Sequence, residues 1–349
     1  MSKATQLLCA VSALFVYIVV SSGCDPASNG PLITGSDPYG TATGQQGTTG
    51  NQPVSGTYPA DYGGSGSAQP PTGAAAPIIV GSFNIQTFGQ SKIEDLDAML
   101  PIVEVTRKFD ILAIQELRSK VQDVIPRFLD MVNANGSRYK AIVGPRQGYN
   151  DRTSNNRYFE QYVYVYDTER IEQVGDAYVA DAPVSQIHRS PMVMQFRTKE
   201  VAPQDAFQFV LMNVHVDPDD VPTEHNVLTQ IIDGVRRNHP YEDDFILLGD
   251  LNAAPRYFHS FPWFANQFAA IEDRWPTNTR GTRNIDNIVF DAAATNEYLN
   301  QSGVLNLPQT FGLTVQQATV ISDHMPVWAV FSAYEQPQSM IVEDPRVVR

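Results

Sequence analysis

Short apolar runs rich in β-branched and aromatic residues alternate with longer amphipathic stretches between Pro77 and Tyr334. Runs of the first kind are typical of buried strands, and stretches of the second kind indicate helices that pack one face on a sheet. The predicted strands cover residues 78–85, 111–114, 139–143, 161–166, 192–196, 207–216, 245–248, 285–290 and 327–331. The predicted helices cover residues 93–109, 121–132 and 225–237.

Predicted strands outnumber predicted helices, and they occur both as direct neighbours and as pairs separated by a helix. This arrangement favours an α/β fold over a regular parallel βα repeat. We expect two packed mixed sheets flanked by helices, a four-layer α-β-β-α sandwich. Because the region contains no second linker and no repeat, its size fits a single domain.

Composition changes sharply toward the N-terminus. In residues 1–23, Lys3 precedes an apolar stretch at residues 7–20, and small residues follow up to Cys24. This layout predicts a secretory signal, because the apolar stretch is short for a membrane span. A cysteine at that place resembles the lipidation site of a bacterial lipoprotein signal; secretion without a lipid and a retained transmembrane anchor are the alternatives. If Cys24 is lipidated, the mature chain keeps no free thiol, since Cys9 leaves with the signal.

Residues 24–76 consist mainly of Gly, Ser, Thr, Gln, Pro and Ala, with few large apolar side chains. Such a segment cannot bury enough surface to fold, and it predicts a disordered tether that keeps the next domain on the order of 40 Å from an anchor. A disordered leader with no anchoring purpose is the alternative. The globular domain is then expected at residues 77–334, with a polar tail at residues 335–349. We expect a monomer that is secreted or held at the cell envelope by a lipid on Cys24.

The net charge is −14, and residues 77–334 hold 21 Lys and Arg against 32 Asp and Glu, a balance of 21 − 32 = −11. The basic stripe typical of nucleic-acid-binding proteins is therefore absent from the overall composition. Two local groups of basic residues depart from this balance. They are Arg138, Lys140, Arg146, Arg152 and Arg157 in one stretch, and Arg274, Arg280 and Arg283 in another. Each group is typical of a solvated loop but is also suited to contact with a polyanion.

Polar residues able to bind a cation or carry a proton recur at the ends of the predicted strands. They are Asn84, Glu116, His215, Asp250, Asn252, Asp286, Asp323 and His324. In VISDHMPVWAVF, apolar, strand-like residues lead up to Ser322 and resume after Pro326. That segment alone also fits an ordinary turn, because Ser-Asp is good turn chemistry and the residue before a proline is extended. Strand ends gathered at one edge of a sandwich would bring all of these residues together, which favours a site.

The chemistry of this set is coherent. Its carboxylates and amides are hard oxygen ligands, which suit Mg²⁺, Mn²⁺ or Ca²⁺; zinc is less favoured, because no paired His spacing and no Cys accompany them. The two imidazoles suit a general acid and a general base, and Glu160 and Asp286 are the candidate carboxylates that would orient them. Arg118 and Arg189 are each suited to hold a phosphate by two hydrogen bonds. Together these features indicate hydrolysis of a phosphate ester.

The order of these motifs resembles the endonuclease/exonuclease/phosphatase superfamily and, within it, the deoxyribonuclease I branch. The segments that carry the resemblance are SFNIQTFG (82–89), DILAIQELR (110–118), RYFEQYVYVY (157–166), HRSPMVMQF (188–196), VLMNVHVDP (210–218), ILLGDLNA (246–253), RNIDNIVF (283–290) and ISDHMPV (321–327). GD-x-N and SDH-x-P are shared across the superfamily, whereas FNI-x-TFG and R-Y-x-E-x-Y are more particular to that branch.

The resemblance implies roles for individual residues. Glu116 would be the main metal ligand, supported by Asn84, Asp250, Asn252 and Asp323. His215 with Glu160, and His324 with Asp286, would be the two acid/base pairs. Arg118, Arg189, Tyr158 and Asn252 would contact the substrate. The branch cuts duplex DNA from the minor-groove side through backbone contacts, so groove width and flexibility would set any sequence preference.

Three departures from the branch pattern concern affinity and stability more than chemistry. Gln86 stands where the pattern has Arg, which removes one expected phosphate contact. Ile285 stands where it has Tyr. The domain also lacks the disulfide of the mammalian secreted enzymes, because residues 77–334 contain no cysteine.

The leading expectation is therefore a divalent-metal-dependent endodeoxyribonuclease that acts outside the cytoplasm. Because this superfamily changes substrate through its loops while keeping the site, a metal-dependent phosphoesterase acting on a phospholipid, an inositol phosphate or RNA is the second expectation. A non-enzymatic surface binding domain is the third, and the retention of every metal and acid/base position argues against it.

Overall fold

The computed structural model describes residues 75–150, 157–182 and 186–336. The predicted signal, Cys24, nearly all of the predicted tether and residues 337–349 of the predicted tail lie outside the described residues. Contacts of the folded region already include Ala75, whose backbone N–H donates to the Tyr334 hydroxyl at 2.9 Å. None of the helices in the described part is both long and apolar enough to cross a membrane.

The described residues form strands, α-helices and two short 3-10 helices, the latter at Pro255–Ser260 and Phe264–Asn266. The strands are β1 (Ile78–Phe88), β2 (Ile111–Leu117), β3 (Tyr139–Val143), β4 (Gln147–Asn150), β5 (Arg157–Asp167), β6 (Ile171–Val179), β7 (Met192–Thr198), β8 (Gln208–His215), β9 (Phe245–Asp250), β10 (Phe268–Ala269), β11 (Asp286–Phe290), β12 (Tyr298–Val304) and β13 (Val327–Phe331). The α-helices are α1 (Gln90–Glu94), α2 (Leu96–Thr106), α3 (Val124–Asn133), α4 (Val221–Asn238), α5 (Leu307–Phe311) and α6 (Val315–Ile321).

The first sheet has the strand order β12-β13-β1-β2-β5-β3, and β4 pairs with β5 beside this path. β1 and β2 run parallel, with Asn84 opposite Gln115, and α1 and α2 make the crossover between them. The interior of β1 and all of β2 are buried. Strands covered on both faces in this way have nearly continuous apolar runs, which is why β1 and β2 were visible in the sequence.

The second sheet has the strand order β10-β11-β9-β8-β7-β6. Only β8 and β9 are parallel in it, and α4 connects them. Each sheet therefore has one parallel pair near its centre, joined by helical crossover, with antiparallel strands on either side. Since a parallel pair brings two carboxyl ends to the same sheet edge, each sheet contributes one such edge to the region described below.

Aromatic contacts join the inner faces of the two sheets. Phe331 of the first sheet lies 5.6 Å from Phe290 of the second, measured between ring centroids. Tyr164 of the first sheet likewise lies 5.5 Å from Phe196 of the second. The same hydrophobic cluster continues outward to side chains of α2 and α3, and a second cluster packs α4 on the outer face of the second sheet. The predicted four-layer α-β-β-α sandwich is confirmed.

Elements with a clear apolar pattern were predicted correctly, with limits that differ by a few residues, but polar elements were missed. The missed strands are β4, β6, β10 and β12, and the missed α-helices are α5 and α6. The reading of a strand-like run up to Ser322 was wrong, because residues 315–321 form α6. A capping box between Thr314 and Gln317 begins that helix, and this local signal outweighs its β-branched residues.

Candidate active site

Three neighbouring strands of the second sheet place three predicted residues side by side. His215 lies opposite Asp250 in the parallel pair β8 and β9, and Asp250 lies opposite Asp286 in the antiparallel pair β9 and β11. Gly249 permits this pairing, because its φ is +148° and an added Cβ would lie 1.9 Å from the Val214 carbonyl oxygen. Only a residue without Cβ fits there.

A buried carboxylate holds the His215 ring. His215 Nδ1 lies 2.9 Å from Glu160 Oε1, while its Nε2 lies 3.5 Å from Asp250 Oδ2. Burial lowers the pKa of His215, but the carboxylates of Glu160 and Asp250 together outweigh burial and raise this pKa above its ordinary value. Burial raises the pKa of Glu160, yet His215 and nearby arginines lower it overall. Glu160 is therefore ionised, so His215 Nδ1 donates to it and Nε2 is directed to Asp250.

His324 repeats this arrangement with a different carboxylate. Its Nδ1 lies 2.9 Å from Asp286 Oδ2, and its Nε2 lies 3.5 Å from Asp250 Oδ2. Thr277 Oγ1 donates to Asp286 Oδ2 at 2.7 Å and so fixes the carboxylate. Burial lowers the pKa of His324, but the Asp286 and Asp250 carboxylates outweigh it and raise this pKa to about 10. Both imidazole rings thus place Nε2 near Asp250 Oδ2, and each ring is held by a different carboxylate.

Glu116 lies at the end of β2, where the backbone leaves the regular strand conformation. Its φ is +67°, and Thr87 and Asn252 also have positive φ, at +52° and +48°. Such conformations cost non-glycine residues roughly 1 to 3 kcal/mol each and concentrate at functional sites. Glu116 Oε2 accepts a hydrogen bond from Thr87 N–H at 2.7 Å, and Oε1 lies 3.0 Å from Arg118 Nη2. These contacts hold the carboxylate beside the Asp250 group.

Asn84 connects the edges of the two sheets. Its Nδ2 lies 3.1 Å from Asp250 Oδ2 and 3.5 Å from Glu116 Oε1. Asn84 Oδ1 and Asp323 Oδ1 are buried without a hydrogen-bond partner. Buried oxygens of this kind are costly unless something binds them. The side-chain oxygens of Asn84, Glu116, Asp250 and Asp323 form a hard donor set. This set fits a divalent cation such as Mg²⁺ or Mn²⁺.

Asn252 is bound to the same centre through its backbone. Its N–H donates to Asp250 Oδ1 at 3.0 Å, and its side-chain Nδ2 donates to the Val216 carbonyl oxygen at 2.9 Å. The side-chain amide is thus held in position at the surface of the cavity, which it lines. This placement is compatible with either of its predicted roles, metal ligand or substrate contact.

The two predicted phosphate-binding arginines lie against carboxylates. Arg189 is buried, donates from Nε to the His215 carbonyl oxygen at 3.0 Å, and lies 3.6 Å from Glu160 Oε1. Arg118 contacts Glu116, and its Nε lies 4.0 Å from Glu160 Oε2. Both therefore support the acid/base pair, and Arg189 also lines the cavity. The side chain of Tyr158 lies outside the described residues, as do the side chains of the nearby basic residues Arg152 and Arg157.

A cavity of about 710 Å³ opens above Asp250. The predicted site residues that line it are Glu116, Arg189, His215, Asp250, Asn252, Asp323 and His324. Glu160, Asp286, Asn84 and Arg118 stand behind or beside this lining. The cavity wall also contains Asn278, Arg280, Thr282 and Arg283 from the loop before β11. The structure therefore assembles the predicted residues from both sheets around one opening.

Residues of that loop were the main omission from the sequence-derived set. Arg280 and Arg283 had been noted only as members of a basic group, and Thr277 was not singled out. The group does not act together, since Arg274 pairs with Glu272 at 2.8 Å. The polarity of the loop and its place just before IDNIVF were the available signals. Gln86 and Ile285, the two departures from the branch pattern, also line the cavity and give it a neutral and an apolar contact.

A half-buried lysine near the metal-fitting group was also missed in the sequence. Lys92 Nζ donates to the Ile321 carbonyl oxygen at 2.8 Å. Burial lowers the pKa of Lys92 to about 8, although the carboxylates of Asp323 and Glu116 act against the decrease. Lys92 thus fixes the end of α6 and places a cation near Asp323.

Comparison with known proteins was consistent with this geometry. The chain is 27% identical to human deoxyribonuclease gamma over 272 residues, which covers 73% of this chain and 86% of the relative. It is 25% identical to human deoxyribonuclease-1 over 268 residues, with 72% and 92% covered. A solved endonuclease/exonuclease/phosphatase family protein from Bacteroides thetaiotaomicron shares the fold, with a TM-score of 0.50, 15% identity, and coverage of 74% of this chain and 98% of the other.

The sequence model of the Endonuclease/Exonuclease/phosphatase family matches residues 81–324. This range begins within β1, before Asn84, and ends at His324, so it includes every residue of the assembled site. The chain belongs to the endonuclease/exonuclease/phosphatase family.

Proposed function

We propose that this protein is a divalent-metal-dependent endodeoxyribonuclease that hydrolyses phosphodiester bonds of DNA. The observation that carries the proposal is the pair of imidazoles whose Nε2 atoms both lie 3.5 Å from Asp250 Oδ2. Each of these rings is oriented by its own buried carboxylate. DNA as the substrate is supported by the similarity to deoxyribonuclease gamma and deoxyribonuclease-1.

The two His–carboxylate pairs supply the proton transfers that hydrolysis needs. Because Nδ1 of each ring is bound to a carboxylate, Nε2 is the atom that exchanges a proton at the cavity. One imidazole accepts the proton of the attacking water as the new P–O bond forms. The other donates a proton to the leaving oxygen as the ester P–O bond breaks. His215 and His324 have matching positions about Asp250, so the distances are the same for either assignment of the two roles.

The hard oxygen donors of the site suit Mg²⁺ or Mn²⁺, with Ca²⁺ as a further candidate. The residues that would hold it are Glu116, Asn84, Asp250, Asn252 and Asp323. A bound divalent cation stabilises the negative charge that develops on phosphoryl oxygens during hydrolysis. The buried oxygens of Asn84 and Asp323 that lack a hydrogen-bond partner support this assignment.

The cavity loop supplies positive charge for a polyanionic substrate. Arg280 and Arg283 line the cavity. Guanidinium groups contact phosphates through paired hydrogen bonds, and phosphate contacts position DNA without reading its bases. Asp217 and Asp219 line the same cavity, which limits the net attraction. We therefore propose weak, backbone-directed binding that decreases steeply as salt rises.

We further propose that the protein acts outside the cytoplasm, secreted or tethered by a lipid on Cys24. The support is the signal-like composition of residues 1–23 and the polar tether that follows. Mass spectrometry of the mature N-terminus tests this directly. A lipidated Cys24 supports the tether, an unmodified mature N-terminus supports simple secretion, and an uncleaved chain contradicts both.

Supercoiled plasmid is the most direct substrate for testing the proposed endonuclease activity. The full chain with Mg²⁺ should convert it to nicked and then linear forms, and a chelator should stop this conversion. His215→Ala and His324→Ala should each reduce the rate on the order of 10² to 10⁴-fold, because each removes one proton carrier. His259→Ala is the matched control, since His259 is exposed and lies outside the cavity lining.

Other phosphate esters are tested beside the plasmid. Absence of nicking at every salt concentration, together with cleavage of a phospholipid, an inositol phosphate or RNA, would replace DNA by that substrate. Full activity of both histidine variants would show that the assigned proton carriers are wrong. Binding of DNA without cleavage of any ester would indicate a binding domain.

A further inference from the structure

A second group of acidic side chains lies at the opposite end of β9 from Asp250. Asp244 directly precedes β9, so it is separated from Asp250 by six residues of extended chain, roughly 20 Å. Glu297 directly precedes β12, and Glu335 follows β13. One carboxylate oxygen from each of Asp244, Glu297 and Glu335 lies within 4.8 Å of the others. Three chain segments that are distant in sequence therefore meet at this acidic cluster.

Two of these carboxylates are buried and incompletely bonded. Asp244 and Glu297 are each only 1% exposed. Glu297 Oε1 accepts a hydrogen bond from Gln336 N–H at 2.6 Å, but Glu297 Oε2 and Asp244 Oδ1 are buried with no hydrogen-bond partner. Buried carboxylate oxygens are almost always paired or bound to a metal, because desolvating the charge is costly. Two desolvated oxygens of the cluster therefore lack a hydrogen bond.

Carboxylates dominate the charge around the cluster. Among the described residues, the charged groups with the largest effect on Asp244 are the carboxylates of Glu297, Glu335 and Glu242. Burial, together with the carboxylates of Glu297 and Glu335, raises the pKa of Asp244 to about 9. Burial and Glu297 likewise raise the pKa of Glu335 to about 7. At neutral pH the cluster therefore needs either bound protons or a bound cation.

We infer that Asp244, Glu297 and Glu335 bind a hard divalent cation of the Ca²⁺ class, at a site separate from the catalytic cavity. Ca²⁺ binds carboxylate oxygens at about 2.3 to 2.6 Å, so two oxygens sharing one ion lie at most about 5 Å apart, as the oxygens of these three residues do. Mg²⁺ is less suited, because it keeps several waters and rarely uses an all-protein cage. The bound ion links the residues after β13 to the starts of β9 and β12.

Calcium binding is measured with the full chain in excess Mg²⁺, so that the catalytic site does not take up Ca²⁺, by isothermal titration and by thermal unfolding, with EGTA and with added CaCl₂. A saturating cation should raise the melting temperature of the wild type by about 5 °C or more. Glu297→Gln should abolish this increase and lower the number of bound Ca²⁺ ions per chain by one. Its melting temperature in EGTA should equal or exceed that of the wild type, because one repelling charge is gone.

Two further variants separate loss of calcium binding at the acidic cluster from loss of folding and from changes at the catalytic cavity. Glu335→Gln changes an exposed member of the cluster, so it should fold even where Glu297→Gln does not, and it should weaken the calcium response. Asp323→Asn removes a carboxylate of the catalytic cavity and should leave the calcium-dependent increase in melting temperature unchanged.

Two results would overturn the inference. The first is a calcium response that Glu297→Gln and Glu335→Gln retain in full. The second is a wild type whose melting temperature does not respond to calcium and decreases as pH rises from about 4 to 9, which would indicate shared protons instead of an ion. Neither result bears on plasmid nicking, so the cation site and the proposed nuclease activity can fail independently.

Discussion

Replacing Glu160 with Gln tests whether the carboxylate acts through His215. The side chain keeps its size but loses its charge, and its oxygen or nitrogen can still lie near His215 Nδ1. The present distance of 2.9 Å between Glu160 Oε1 and His215 Nδ1 corresponds to an attraction of about 6 kcal/mol for the ionised pair at an effective dielectric constant of 20. The variant therefore loses both the preferred tautomer and the stabilisation of the imidazolium.

Loss of this interaction should decrease the nicking rate on the order of 10² to 10⁴-fold, as expected when a general acid or base no longer works. Stability should decrease as well. Glu160 is buried and lies 3.6 Å from buried Arg189 and within 4.0 Å of Arg118. Removing one partner of a buried ion pair costs about 3 to 5 kcal/mol. Rates are therefore measured at a temperature where circular dichroism shows the variant to be folded.

A double-variant cycle separates positioning from independent catalysis. If Glu160 acts only through His215, then Glu160→Gln should cost no further activity in a His215→Ala background. The double variant should thus be as active as His215→Ala alone. Rate losses that multiply would refute this reasoning, as would a Glu160→Gln single variant within about twofold of the wild-type rate. Asp273→Asn, a change at a half-exposed carboxylate that pairs with Arg256, is the matched control.

Three further predictions concern stability and substrate binding. His225 is buried, and burial lowers its pKa to about 4; since the unfolded value is near 6.5, the folded state should lose about 2 kcal/mol of stability between pH 7.5 and pH 5. In urea unfolding, the free energy of unfolding of His225→Phe should decrease less between pH 7.5 and pH 5 than that of the wild type, by this amount. An equal decrease in both proteins would contradict the assignment. Gly249→Ala should destabilise the protein by several kcal/mol or prevent folding, because the new Cβ meets the Val214 carbonyl oxygen at 1.9 Å; a melting temperature unchanged from wild type would show that this backbone can move. Arg283→Ala should raise KM for plasmid severalfold and flatten its salt dependence with little change in kcat, whereas Arg274→Ala should leave both unchanged; equal effects of the two would rule out a specific cavity contact.

Burial on both faces explains which parts of the fold the sequence revealed. β2 and β9 are wholly buried and begin with continuous apolar runs, so their existence and type followed from composition alone. β6 is only partly buried and contains Gly175 in a left-handed conformation, and β12 has polar residues at its centre. These edge and outer strands are held by pairing with a neighbour, which a single sequence does not show. The strand order could not be predicted either, because it depends on contacts between residues that are far apart in the sequence.

The candidate site was more predictable than the fold around it. Motif residues at strand ends were found because charged side chains interrupt apolar runs only where something binds them. The register that sets His215 opposite Asp250 and Asp250 opposite Asp286 could not be read from spacing, since it depends on the turns and bulges between strands. Arg280 and Arg283 were undervalued for a related reason: a polar loop does not show which of its side chains face a cavity.

The two ends of β9 explain how a chain with net charge −14 can offer a site to a polyanion. At the Asp250 end, Asn252 N–H and Asn84 Nδ2 contact the carboxylate, and two imidazoles with raised pKa values lie 3.5 Å away. At the Asp244 end, the charged groups with the largest effect on that carboxylate are other carboxylates. Local compensation, not total charge, therefore decides where phosphate can approach. It follows that a cation at Asp244 contributes to stability and not to chemistry, and Glu335→Gln should nick plasmid at the wild-type rate wherever both proteins are folded.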